Sequence, residues 1–394
     1  MANLFEFATT NQKQPAMKTE QKHWIGSSWT TVSDAGISQD ANLVLVFGGR
    51  EALSAPSRFE EIKSLYPNAH ILCGSTSGEI IDTEVHDDTL VLTAVQFEKT
   101  EMKVALLGQN ETTDSFSAGE KLAQQLMKDN LRHIFVLSDG LKVNGSELVK
   151  GFESGLPENV SVTGGLAGDA ARFEQTLVGL NCAPAEGNIA AIGFYGDNLK
   201  IGHGSQGGWD PFGPERRVTR SESNVLFELD GQSALELYKK YLGEKAEGLP
   251  GTGLLFPLSI RGATGGPSVV RTLLAIDEEA QSMTFAGDIP EGATVQLMKA
   301  NFDKLIDASV DAAELTTDKL AGSNAELAIL VSCVGRKLVL GQRIEEEVEE
   351  VREVLGDGPT IAGFYSYGEV SPVLESVNCE LHNQTMTITT FSEN

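Results

Sequence analysis

Basic residues are scarce in this 394-residue chain: 30 Lys and Arg stand against 56 Asp and Glu, a net charge of −26. Nucleic-acid backbones and anionic membrane surfaces are met by basic footprints, so neither is expected as the main partner. Cysteine is sparse as well. Cys73, Cys182, Cys333 and Cys379 are far apart and form no C-x-x-C, which leaves no zinc ribbon and no thioredoxin motif. C-x-x-C-H is absent too, so covalent heme attachment is excluded. No window reaches about 18 uninterrupted apolar residues, so no membrane-crossing helix is expected. Residues 1–22 are polar and carry no apolar core of a secretory signal. These absences predict a cytoplasmic protein with reduced thiols. Catalytic signatures are missing as well. GSTSGE (74–79) and GGLAGD (164–169) have no following Lys to hold a phosphate, and GSTSG places its serines off the centre of a nucleophile elbow. An enzyme is not expected, and an uncharacterised hydrolase stands only as a third reading.

What the chain does have is one pattern three times. ILCGSTSGEI (71–80), VTGGLAGDA (162–170) and IAGFYSYGEVS (361–371) each join an apolar run, a small-residue turn, and Gly followed by an acid. The pairs are Gly78–Glu79, Gly168–Asp169 and Gly368–Glu369. A matching run lies upstream of each: LVLVFGGR (43–50), IFVLSDGL (134–141) and AILVSCVGR (328–336). Alternating apolar sequence follows, ending at Phe97, Phe194 and Phe391. The reading is a unit of roughly 60 residues used three times.

Strand and helix patterns alternate along the chain. They predict an α/β fold (mixed α+β): two domains with mixed β-sheets flanked by helices. Residues 1–36 read as an N-terminal tail. A first domain is expected over 37–220 and a second over 221–394. WDPFGPERRVTRSESN (209–224) reads as a long loop, and Gly243 stops a helix before the linker EKAEGLPGTG (244–253).

Three stretches carry a family resemblance. They are GHGSQGGWDPFGPERRVTRSESNVLFELDGQSALELYKKYLG (202–243), VVRTLLAIDEEAQSMTFAGDIPEG (269–292), and the set SCVGR, GFYSYGEVSP and LHNQTMTITTF (381–391). Together they resemble the FIST family of sensory domains, N-terminal and C-terminal parts in tandem. The resemblance implies a bacterial signal-transduction module that binds a small molecule, amino acids being the proposed class. A stand-alone chain of this size is similar to the nitric-oxide-sensing heme proteins of that family. That similarity implies b-type heme, a separate histidine kinase as partner in a two-component system, and an effect on cyclic-di-GMP and biofilm behaviour. A homo-oligomer is compatible with this reading.

Candidate residues follow from these two ligand classes. Heme iron needs an axial donor, apolar walls and cations near the propionates. His203 lies between Gly202 and Gly204, near Trp209, with Arg216, Arg217 and Arg220 close behind. Glycines there would let a flat ligand approach the backbone. The plain alternative is a loop histidine, and His382 or Cys333 are other possible iron donors. An amino acid wants an Arg for its carboxylate and an acid for its ammonium. Arg271, Arg336 and Glu369 would serve, with Cys333, Tyr365, Tyr367 and His382 nearby. The competing reading is an internal ion pair, for instance Arg336 with Glu369.

Overall fold

A computed structural model describes residues 17–394, apart from 109–110, 112–113, 264, 266–267, 321 and 374–378. Its largest body holds three six-stranded sheets with one plan. Each is centred on a parallel pair: Leu43–Gly48 with His70–Ser75, Leu131–Ser138 with Ser161–Leu166, and Leu327–Cys333 with Thr360–Ser366. Each first strand of a pair also takes an antiparallel neighbour, respectively Leu90–Gln96, Ile189–Tyr195 and Met386–Glu393. These strands read as near-continuous apolar runs because both faces are covered.

The roughly 60-residue unit expected from the sequence does not close on itself. The strand after each Gly-acid turn joins another stretch's sheet. Glu79–Ile81 pairs with Thr360–Ser366, Val178–Leu180 with His70–Ser75, and Gly368–Pro372 with Ser161–Leu166. Glu101–Leu107 borders Ile189–Tyr195, and Leu199–Gln206 borders Met386–Glu393. Local alternation fixes which face a strand buries but not which sheet it enters. Of the tail expected over 1–36, residues 1–16 lie outside the described residues. Lys18–Ile25 is a strand paired with Leu90–Gln96, and Ser28–Ser33 pairs with it in turn.

The inner faces of the three sheets meet in one core, with Phe47, Phe135, Phe194, Phe364 and Phe391 at its centre. Helices cover the outer faces. Arg58–Leu65 lies over the first sheet through Ile62, and Ser115–Leu126 with Gly145–Gly155 over the second through Leu122 and Phe152. Glu346–Leu355 and Phe302–Lys319 cover the third through Val348, Val351 and Ala312. Among the described residues no helix is long and apolar enough to cross a membrane.

Residues 210–299 form a separate nine-stranded sheet with its own core, including Leu235, Tyr238, Leu258 and Phe285. The stretch expected as a loop contributes two of its strands, Asp210–Pro211 and Arg216–Glu222. A boundary at 220 falls inside the second of these. The stretches on either side of it also share the second and third six-stranded sheets.

Candidate functional site

The three Gly-acid turns meet at one end of the sheets. Ser77 and Tyr365 are tied by N–H to carbonyl bonds, Ser77 N to Tyr365 O and Tyr365 N to Gly78 O, both at 2.8 Å. Gly168 N reaches Ser75 O at 2.9 Å, and Tyr367 N reaches Leu166 O at 3.1 Å. All three acids are fully buried. Asp169 meets two guanidinium groups, Arg50 at 2.9 Å and Arg172 at 2.8 Å. Glu79 instead accepts from the Thr76 and Thr89 hydroxyls at 2.5 and 2.8 Å and from Thr89 N at 2.9 Å. Burial pushes it up to about 7. Glu369 accepts from Ser366 Oγ at 2.5 Å, Thr385 Oγ1 at 3.0 Å and Thr385 N at 3.2 Å, and burial pushes it up to about 8.

Beside these turns lies a cavity of about 320 Å³. One wall is built by the ends of the parallel strands. Gly140 to Gly145 follow Leu131–Ser138, and Cys333 with Val334 ends Leu327–Cys333. Tyr367 and Phe173 add a stacked pair, ring centroids 4.5 Å apart. The facing wall belongs to the nine-stranded sheet, through Asn224, Thr272, Leu274 and Phe285 to Gly287. The C-terminal ends of parallel strands are where open α/β sheets place ligands, because side chains and helix starts converge there. Asn144 opens the helix Gly145–Gly155, its side chain taking the Glu147 N–H at 3.2 Å. Thr272 is 5% exposed and its hydroxyl has no partner. The side-chain amides of Asn383 and Gln384 are also buried without partners. A Cβ on Gly335 would stand 2.4 Å from Gln384 Nε2, so glycine there lets the amide lie on the backbone.

Of the residues expected to hold an amino acid, two reach this cavity: Cys333 and Tyr367. Burial raises the Cys333 thiol. Arg336 is fully buried and pairs with Glu347, its Nη2 and Nε 2.8 and 3.0 Å from Oε2. The internal ion pair weighed against a ligand site is therefore present, with a partner other than the expected Glu369. Tyr365 donates to the same Glu347 at 2.8 Å. Arg271 donates to Leu381 O at 2.7 Å, tying the nine-stranded sheet to the second sheet. His382 Nε2 lies 3.1 Å from Ser371 O, and burial lowers it to about 4.

The residues expected around heme are not brought together, and they do not fit that group. His203 sits mid-strand opposite Thr389 rather than in a loop. Its Nδ1 lies 2.8 Å from Lys319 Nζ, and burial with that ammonium lowers it to about 4. The flanking glycines admit a helix backbone, not a ligand. A Cβ on Gly202 would stand 2.2 Å from Thr316 O, and one on Gly204 2.1 Å from Ala312 O. Trp209 is spent on Gln384 O at 2.9 Å. Arg216 binds Asp230 at 2.9 Å and Tyr241 Oη at 2.6 Å, and Arg220 binds Glu228 at 3.2 Å. Arg217 gives its backbone N–H to Asp230 at 3.0 Å, in the same strand of the nine-stranded sheet.

The residues missed from sequence are Asn144, Phe173 and Thr272. Only Asn144 carried a local signal, Asn followed three residues later by Glu147 at a helix start. Phe173 and Thr272 come to the cavity through pairings between distant strands.

Comparison with known proteins gives two matching domains and one relative. The family model described as the FIST N domain matches residues 42–232, and the FIST C domain matches 234–372. An uncharacterized protein of Methanocaldococcus jannaschii is 25% identical over 211 residues. That match spans 49% of this chain and 39% of the archaeal protein.

Proposed function

Because the chain belongs to the FIST family of small-ligand sensory domains, we propose that its ligand binds in the cavity between the Gly-acid turns and the nine-stranded sheet. The observation that carries this reading is the construction of that cavity. Its volume of about 320 Å³ is at the small end for ligand pockets, and its walls come from two separately cored parts of the chain. A molecule held there touches the Gly140–Gly145 segment on one side and Thr272 and Phe285 on the other. It therefore changes the free energy of any displacement between them, which is what a sensor requires. The message passes to a separate signalling protein, and a histidine kinase is the partner that the family resemblance implies.

Ala286 lines the cavity and is half-buried, so a larger side chain there fills the space with little disturbance of the sheet. The test is a screen of small metabolites for a rise in melting temperature, run on the wild type and on Ala286→Trp. A specific ligand at 100 times its Kd adds about 2.7 kcal/mol to the wild type, and Ala286→Trp loses that gain. A ligand that stabilises both proteins equally sits elsewhere and overturns the assignment.

A further inference from the structure

The chemistry of that same cavity names the kind of molecule it takes, and the inference rests on the cavity being the ligand site. Among the described residues lining it, none is Asp or Glu. Its single ammonium, on Lys142, is held by Glu186 at 2.5 Å. An α-amino acid would bury its own ammonium there opposite no unpaired carboxylate, which is strongly unfavourable: Asp288, next to the lining Gly287, is held by Lys150 at 3.1 Å and accepts from the Asn144 amide at 3.3 Å. Donors, by contrast, are available. The Thr272 hydroxyl is buried and unpartnered. Asn144 caps the eleven-residue helix Gly145–Gly155 by taking the Glu147 N–H, which leaves the Gly145 and Ser146 N–H groups without an intrahelical acceptor. Such a helix start favours a negative group. Apart from Asn224, whose amide donates to Phe285 O at 2.7 Å, the other side chains of the lining are mainly apolar. Tyr367 and Phe173 stack at an interplanar angle of 15°, and Phe285 comes from the nine-stranded sheet. Leu141, Phe173 and Leu274, each about 40% exposed, make the mouth apolar too.

We propose that the ligand is a small monoanion with a flat apolar body, its acid group at the start of helix Gly145–Gly155 beside Thr272 and its ring against Tyr367. Zwitterionic amino acids are disfavoured because the lining has no carboxylate of its own and the neighbouring Asp288 is already paired with Lys150.

Two probes that differ only in that ammonium decide the question: 3-phenylpropanoate and phenylalanine. Calorimetric titration of the full chain is expected to give 3-phenylpropanoate at least about ten-fold tighter than phenylalanine, the size of one unmatched buried polar group. Thr272→Val should weaken 3-phenylpropanoate by several-fold, and Ala286→Trp should abolish binding. Leu274→Trp, at the exposed lip, is a second blocking variant should Ala286→Trp fail to fold. Phenylalanine binding as tightly or more tightly, and lost in the blocking variants, overturns the ligand class while the cavity stands as the site. No binding of 3-phenylpropanoate at millimolar concentration overturns the class as well. Binding of either probe that survives both blocking variants overturns the cavity assignment and this inference with it.

Discussion

Asp169 and Glu369 occupy the same place in the same motif, and the protein treats them in opposite ways. Both follow a glycine and both are fully buried. Asp169 faces the guanidinium groups of Arg50 and Arg172. Glu369 meets only hydroxyls and one backbone N–H, and Glu79 follows its example. An arginine offsets the burial of a carboxylate charge, whereas a few neutral donors do so only in part, and the proton is then retained. Equivalent motif positions therefore differ in their partners: Asp169 meets Arg172 three residues on and the distant Arg50, whereas Glu369 meets Ser366 three residues before it and Thr385 sixteen residues on. The pair Arg336–Glu347 extends the arginine side of this contrast, with both side chains fully buried.

Breaking that last pair carries the largest expected effect. Glu347→Gln leaves the Arg336 guanidinium buried without a counter-charge and weakens the hold on Tyr365. The expected loss is roughly 3–5 kcal/mol. Urea unfolding measures it directly, and a loss below about 1 kcal/mol would show that Arg336 is satisfied by its neutral acceptors, the Gly207 and Leu305 carbonyls and Ser309 Oγ.

The hydroxyl-bound acids should instead appear in the pH dependence. Glu369 is raised to about 8 and Glu79 to about 7, largely by burial, above the usual value of about 4.3 in an unfolded chain. The folded state then keeps protons that the unfolded chain has lost. The stability contributed is complete below about pH 4 and is lost as pH rises through 7 to 8. Stability should thus fall between pH 5.5 and 8.5, by at most about 1.4 kcal/mol per pH unit for each group. Glu369→Gln should flatten this fall. A curve as steep as that of the wild type would assign the slope to other groups.

Asp169→Asn should have a smaller effect, because Arg50 and Arg172 are 16% and 34% exposed and reach solvent when released. A loss of about 1–2 kcal/mol at pH 7 is expected. Comparing it with Glu369→Gln at pH 5.5 sharpens the contrast. There the amide copies a protonated carboxyl, and the expected loss is below about 1 kcal/mol.

Much of this was legible in the sequence. The three Gly-acid turns, the apolar parallel strands and the helix stop at Gly243 follow from turn chemistry and periodicity, which are local. The route of the chain was not. Glu79–Ile81 looks like the continuation of its own unit, and only tertiary pairing sends it to Thr360–Ser366. His203 between two glycines reads as an open loop, yet those glycines exist for the carbonyls of Thr316 and Ala312, more than a hundred residues later. Arg336 was rightly weighed as part of an internal pair. Its partner is Glu347, eleven residues on, in the first turn of the helix Glu346–Leu355. The cavity lay furthest out of reach. Gly140, Thr272, Cys333 and Tyr367 line it together although they are spread over more than two hundred residues.

The thiols extend the comparison at its mildest. Cys73, Cys333 and Cys379 are buried, and Cys182 is half-exposed. Burial raises all three buried thiols, Cys73 to about 12, so little thiolate forms on them near neutral pH. A maleimide reagent should accordingly modify Cys182 first, read as a single mass addition before any second. Cys333 differs from the other two buried thiols in lining the cavity. Its slow labelling should become slower still when the cavity is filled by a ligand or by Ala286→Trp, while Cys73 and Cys379 keep their rates. Equal slowing at all three would point to a general tightening of the fold, and an unchanged Cys333 rate would mean that the reagent reaches it by local unfolding and not through the cavity.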